Sequence, residues 1–227
     1  VNAPSPLDLF REPHELPVTR EEWLMAADLG QKRRRANDAT RTATQDRGDK
    51  NLIGDVMGCL AELRVVNLCK NLGYHYEATL LHDGGGAAVR WKPDVRIQHD
   101  RWLNYDVKCH MTMNAAQRAM VNVPPKKDMA LSVPSMGKAL KGGTANLLPV
   151  MAAPGGDVIL LGRVLPIAEV LTWPQHDYGY GSIVYRMPMA VVAPHLFGRT
   201  FAECEEIVLG GASIARLHTL LTYKAAA

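Results

Sequence analysis

The chain of 227 residues has few cysteines, few aromatics and no apolar run near the roughly 18 residues that a membrane span requires. Cys59, Cys69, Cys109 and Cys204 stand far apart, without a CxxC pair or a Cys/His cluster at zinc spacing. A zinc ribbon and a disulfide scaffold are thereby excluded, and reduced, mostly buried thiols are expected. The N-terminal stretch "VNAPSPLDLFREPHELP" lacks the charged-then-apolar layout of a signal peptide, so a cytoplasmic location with no membrane partner is expected. Charge of one sign is not in excess either. The net charge is +3, and basic and acidic groups number nine and nine over residues 1–50, ten and eight over 51–130, and seven and six over 131–227. Any polyanion site must therefore be made locally.

Several catalytic signatures are also missing. There is no G-x-S-x-G nucleophile elbow, "GKALKGGT" does not have the spacing of a phosphate-binding loop, and "DGGGA" has no dinucleotide pattern after it. What remains is the composition of an ordinary globular protein, 47% hydrophobic and 22% charged, long enough for one well-filled core.

Residues 1–17 hold four of the fourteen prolines and predict an irregular or extended arm. A helix start follows at "VTREEW", where Thr19 and Glu22 form a capping box. A second helix is written in "NLIGDVMGCLAELRVVNLCKNLG", with apolar residues at Ile53, Val56, Leu60, Leu63, Val66 and Cys69 and a C-cap at Gly73. Glu62 shares one flank of it with Asn51, Asp55 and Gly58, and the glycine is a place where another backbone could approach closely. Strands are expected at 74–81, around 94–108, at 129–133, at 157–165 and at 182–189. A long connection is expected between 134 and 156. "FAECEEIVL" and "SIARLHTLLTYK", the latter capped by Ser213, read as helices.

The stretch "KPDVRIQHDRWLNYDVKCH" (92–110) carries the chemistry. A three-residue turn centred on Asp100 makes partner numbers sum to 200. Ile97 then faces Leu103, Val95 faces Tyr105, and on the other side Asp94 lies opposite Asp106. Like charges directly opposite are destabilising. A divalent cation, solvent exposure or a protonated partner would each offset that. A solvated hairpin face is the plain alternative: with 23 acidic residues and 10 lysines, about one D/E-x-K triplet arises by chance. Glu62 offers a third carboxylate, Mg²⁺ keeps several waters and needs few protein oxygens, and Lys108 shares the face of Asp106.

The order of a helix Glu in "GCLAELRV", then "KPDV", then "YDVKC" resembles the PD-(D/E)XK nuclease superfamily over roughly residues 50–165. That resemblance implies an α/β restriction-endonuclease-like αβββαβ core, a mixed and mostly antiparallel central sheet flanked by helices. The 129–133 and 157–165 segments would be its later strands. It implies a Mg²⁺- or Mn²⁺-dependent phosphodiester hydrolase acting on DNA. Asp94, Asp106 and the Val107 carbonyl would hold the ion, Lys108 would act on the water or phosphate, and Glu62 would orient or ligate. Members of the superfamily also occur as inactive modules binding nucleic acid or a partner, which is the alternative function. The division expected is an arm and basic helix over 1–50, a core over 51–190 and a helical segment over 191–227, together one compact domain that could assemble as a homodimer or larger. Arg33, Arg34 and Arg35, Lys126 and Lys127, and Lys138 and Lys141 are the candidate nucleic-acid contacts. His110, two residues beyond Lys108, is a further candidate, and Gln117 and Arg118 are placed to look back at the centre.

Overall fold

The computed structural model describes residues 5–38, 49–81, 93–123, 129–134, 146–177 and 183–223. The proline-rich arm is more ordered than its composition suggests. A helical turn, α1 (Pro6–Leu9), leads into an edge strand, β1 (His14–Pro17). At Thr19 the expected capping box forms: the Thr19 amide donates to Glu22 Oε2 and the Glu22 amide to Thr19 Oγ1. Helix α2 (Arg20–Asp38) follows, and α3 (Asp49–Asn71) lies against it. The α3 helix ends as its sequence implies. Gly73 takes φ of +75° and the Tyr74 amide reaches back to the Cys69 carbonyl.

The main sheet contains β1, β2 (Tyr76–Ala78), β3 (Val95–Gln98), β4 (Trp102–Met111), β6 (Asn146–Ala152), β7 (Val158–Leu161) and β8 (Leu165–Pro166). Their order is β1-β7-β6-β4-β3-β2, with β8 also on β6. The sheet is mixed: β4 and β6 run parallel, and the remaining pairs are antiparallel. A short helix, α4 (Ala115–Met120), lies on the crossover from β4. A second sheet of three strands holds β5 (Ala130–Pro134), β10 (Ile183–Pro188) and β9 (Gln175–Asp177). The short α5 (Ile167–Val170) follows β8, and α6 (Met189–Phe197), α7 (Phe201–Leu209) and α8 (Ile214–Thr222) complete the chain.

Two expectations are corrected. The strand beside β4 is β6, inside what reads from sequence as a long connection, whereas β5 belongs to the second sheet. In addition, the 157–165 run is two strands, interrupted at Gly162 to Val164. The interruption follows from Pro149 in the middle of β6. Its carbonyl accepts from the Gly162 amide at 2.7 Å, so the side of β6 on which proline lacks an N–H is the side where its neighbour breaks. Gly162 is forced by the same contact: a Cβ there would meet Pro149 Cγ at 2.8 Å and the Leu196 carbonyl at 3.0 Å.

Hydrophobic residues cover both faces of the main sheet. Tyr105, Val107, Leu148 and Val150 pack with Trp23, Ile53, Leu60 and Leu217 from α2, α3 and α8. Leu147, Met151 and Leu160 pack with Val192, Leu196, Cys204 and Val208 from α6 and α7. Asp106 pairs with Leu147 and His110 with Met151, so these two polar residues belong to the second face. Among the described residues no helix is long and apolar enough to cross a membrane.

Candidate metal centre

The β3–β4 hairpin has the register read from its sequence. Val95 pairs with Tyr105 and Ile97 with Leu103, so Asp94 comes opposite Asp106 where β3 ends. The residues Pro93 and Asp94 explain that ending. In a continued ladder residue 93 would oppose Val107. Proline has no N–H to offer the Val107 carbonyl, and the Pro93 carbonyl is turned to Thr79, whose hydroxyl donates to it at 2.6 Å. The Asp94 side chain takes over: its Oδ2 accepts the Val107 amide at 2.9 Å. The motif thus ends a strand, aims a carboxylate across the gap, and denies one ladder donor to the Val107 carbonyl.

Asp94 and Asp106 are 3% and 0% exposed, so the plain alternative of a solvated face is set aside. Asp106 Oδ1 has no hydrogen-bond partner among the described residues, and Oδ2 lies 2.8 Å from Lys108 Nζ. Burial, with the neighbouring Asp94 adding to it and Lys108 pulling back, pushes the Asp106 carboxyl up to about 7. Burial also works against the charge of Lys108. Asp106, then Asp94 and Glu62, outweigh it and hold the ammonium above its ordinary value.

Glu62 is 3% exposed on α3 and meets Arg33, whose Nη2 donates to Oε2 at 2.8 Å. Burial disfavours the guanidinium charge, and Glu62 leads the groups that raise its pKa regardless. The centre therefore holds three carboxylates, from Glu62, Asp94 and Asp106, against two cations, from Arg33 and Lys108. Among the described residues no group of three or more His, Cys, Asp and Glu side chains is close enough to hold a metal ion. A hard-cation site here would rest on Asp94, Asp106 and the Val107 carbonyl, with water for the rest. Mg²⁺ tolerates that donor set, since it keeps several waters. The exposed-to-nothing Oδ1 of Asp106 is an acceptor suited to such a role.

The other candidates divide. Arg33 is drawn into the centre, away from the surface role its basic run suggests; Arg35, two residues on, is exposed. Arg34 is half-buried. His110 is buried and stands edge-on to Phe201 with ring centroids 5.9 Å apart. Gln117 does not look back at the aspartates: its amide donates to the Pro154 carbonyl at 2.8 Å and its oxygen closes a capping box with Asn114. Lys126, Lys127, Lys138 and Lys141 lie outside the described residues. Sequence reasoning missed Arg33 as a partner of Glu62. The available signal was Gly58, one turn before Glu62, where a Cβ would stand 3.1 Å from Arg33 Nη1. Compared with known proteins, the chain matches no family model, no curated protein and no solved structure.

Proposed function

We propose that this chain is a divalent-metal-dependent nuclease that hydrolyses phosphodiester bonds in DNA, with a restriction-endonuclease-like core. One observation carries the reading: two buried carboxyl groups face each other at a strand end, with a lysine ammonium 2.8 Å from one of them. Burying such a pair is costly, and retaining it makes sense where a cation is to be held. The element order adds support. A helix bearing Glu62 precedes three antiparallel strands, then a helix and, after β5 of the second sheet, a strand parallel to the third.

Asp94, Asp106 and the Val107 carbonyl would hold Mg²⁺ or Mn²⁺, which when bound supplies Lewis acidity and lowers the pKa of a coordinated water. Asp94 is fixed for this by the Val107 amide, so its orientation does not depend on the ion. Lys108 offers a positive charge beside Asp106, where it would orient the attacking water or carry the charge that develops on the phosphate. Glu62, held by Arg33, sets the local field and the position of the water. Glu62 and Asp94 are already braced, by Arg33 and by the Val107 amide, so little reorganisation of these two is needed during reaction.

A second reading has its own observation. Arg33 and Lys108 already neutralise much of the carboxylate charge, as they would in an inactive module that binds nucleic acid or a partner. The experiment that separates the two is cleavage of linear and circular, single- and double-stranded DNA with Mg²⁺, Mn²⁺ or EDTA. Metal-dependent cutting is expected, falling by about 10²-fold or more in Lys108→Ala and in Asp106→Ala, with the circular dichroism of both variants unchanged. Equal cutting by either variant contradicts the proposed roles. Absence of cutting together with absence of Mn²⁺ binding by calorimetry leaves the inactive module.

A further inference from the structure

Arg33 reaches the centre through a route built for it. The α2 and α3 helices cross closely at Gly30, where a Cβ would meet the Val56 backbone at 2.8 Å. Only glycine allows that approach, and α3 is brought in beside α2 accordingly. One helical turn along, Arg33 lies on the same side of α2 as Gly30, by the i to i+3 spacing. Its guanidinium passes over Gly58, whose missing side chain leaves the space: a Cβ there would lie 3.1 Å from Nη1. Beyond Gly58, one turn further on α3, stands Glu62, and Nη2 meets its Oε2 at 2.8 Å. Gly30 thus lets the two helices approach, and Gly58 leaves the space in which the arginine meets the buried carboxylate.

A guanidinium serves this better than an ammonium. Its donors are fixed in a plane, so holding one carboxylate oxygen also fixes the orientation of the group. Further along the same network lie Asp94 and Lys108, which feel the charges of Arg33 and Glu62 respectively.

We infer that Arg33 is a positioning residue of the carboxylate centre, fixing Glu62 across the space left by Gly58 where α2 and α3 approach at Gly30, and that it does not contact DNA. The inference rests on the nuclease reading above and concerns only how that centre is held. It differs from the surface role suggested by the basic run in a measurable way. A phosphate contact acts on binding, whereas a residue that acts through Glu62 acts on turnover.

The test is a cycle of Arg33→Met, Glu62→Gln and the double variant, with Arg33→Lys and Gly58→Ala beside them. Arg33→Met is expected to lower kcat by about 10- to 100-fold with KM for DNA unchanged, the usual effect of losing a residue that orients a metal-site ligand. The double variant should be no worse than Glu62→Gln alone, and Arg33→Lys should recover part of the loss. Gly58→Ala, which crowds Nη1 without altering charge, should lower kcat in the same direction. In EDTA, DNA affinity and its salt dependence should be unchanged in Arg33→Met. Should Arg33→Met leave a buried acid that prevents folding, the double variant and Arg33→Lys still carry the comparison. A raised KM, a weaker salt dependence of DNA binding, or additive losses in the double variant would overturn the inference while leaving the nuclease reading in place. A wild-type chain that neither cuts DNA nor binds Mn²⁺ removes both.

Discussion

Replacing Asp106 by Asn should change how stability depends on pH. The Asp106 carboxyl sits at about 7 in the folded chain, because burial and Asp94 disfavour its charge more than Lys108 restores it. In the unfolded chain an aspartate titrates near about 4. Between those values the folded state binds a proton that the unfolded state has released. Stability from this group is then fully present below about pH 4 and is lost as pH rises through about 7. Each pH unit is worth about 1.4 kcal/mol while the folded carboxyl stays protonated, and half of it is titrated by pH 7, so the wild type should lose about 2 kcal/mol between pH 5 and pH 7 on account of Asp106 alone. Asn cannot titrate and is similar in size. The wild-type minus Asn difference should therefore shift by that amount over the interval, in favour of the variant at the higher pH. Urea unfolding at pH 5, 6, 7 and 8 measures it. With the usual slope of about 1–3 kcal/mol per molar, the relative midpoints move by about 1–2 M. Groups that do not feel Asp106 titrate equally in both proteins and drop out of the difference, which leaves Asp106 and its neighbours Asp94 and Lys108 as its source. A difference that stays constant across the range, or that favours the wild type as pH rises, refutes the buried, proton-holding carboxyl.

Gly162→Ala should destabilise by about 1–3 kcal/mol, since the added methyl meets Pro149, the Leu196 carbonyl and Phe197 at 2.8–3.0 Å; thermal unfolding would detect it, and an unchanged midpoint would contradict the close contact. Thr200→Ala removes the capping box of α7, in which Thr200 Oγ1 accepts the Glu203 amide at 3.3 Å and the Thr200 amide donates to Glu203 at 2.8 Å. The expected cost is about 1 kcal/mol in urea unfolding.

The hairpin and the helices were legible because each is specified locally. The apolar partners Val95 with Tyr105 and Ile97 with Leu103 admit one register, and that register sets the two aspartates opposite each other. Thr19, Glu22 and Gly73 mark helix ends by hydrogen bonds that span only a few residues. The β6 strand was not legible, because a strand buried on both faces shows no alternation and Pro149 argues against a central position. Nor was the Arg33–Glu62 pair. Its partners are 29 residues apart, and four consecutive cations read as a phosphate-binding surface until the helix crossing at Gly30 is known.

The parallel pairing of β4 with β6 also orders the assembly of the centre in time. Tyr105 meets Val95 across 10 residues of chain, but meets Asn146 across 41. Closing the longer loop costs about 1 kcal/mol more in chain entropy, and parallel, non-local pairing is slow to form. The two aspartates are therefore brought face to face early, while water still reaches both and screens them. Their desolvation waits for the late arrival of β6 and of the helices beyond it. The proton on Asp106 consequently belongs to the last stage of folding, and its pH dependence should appear in the rate at which the chain opens more than in the rate at which the hairpin first closes.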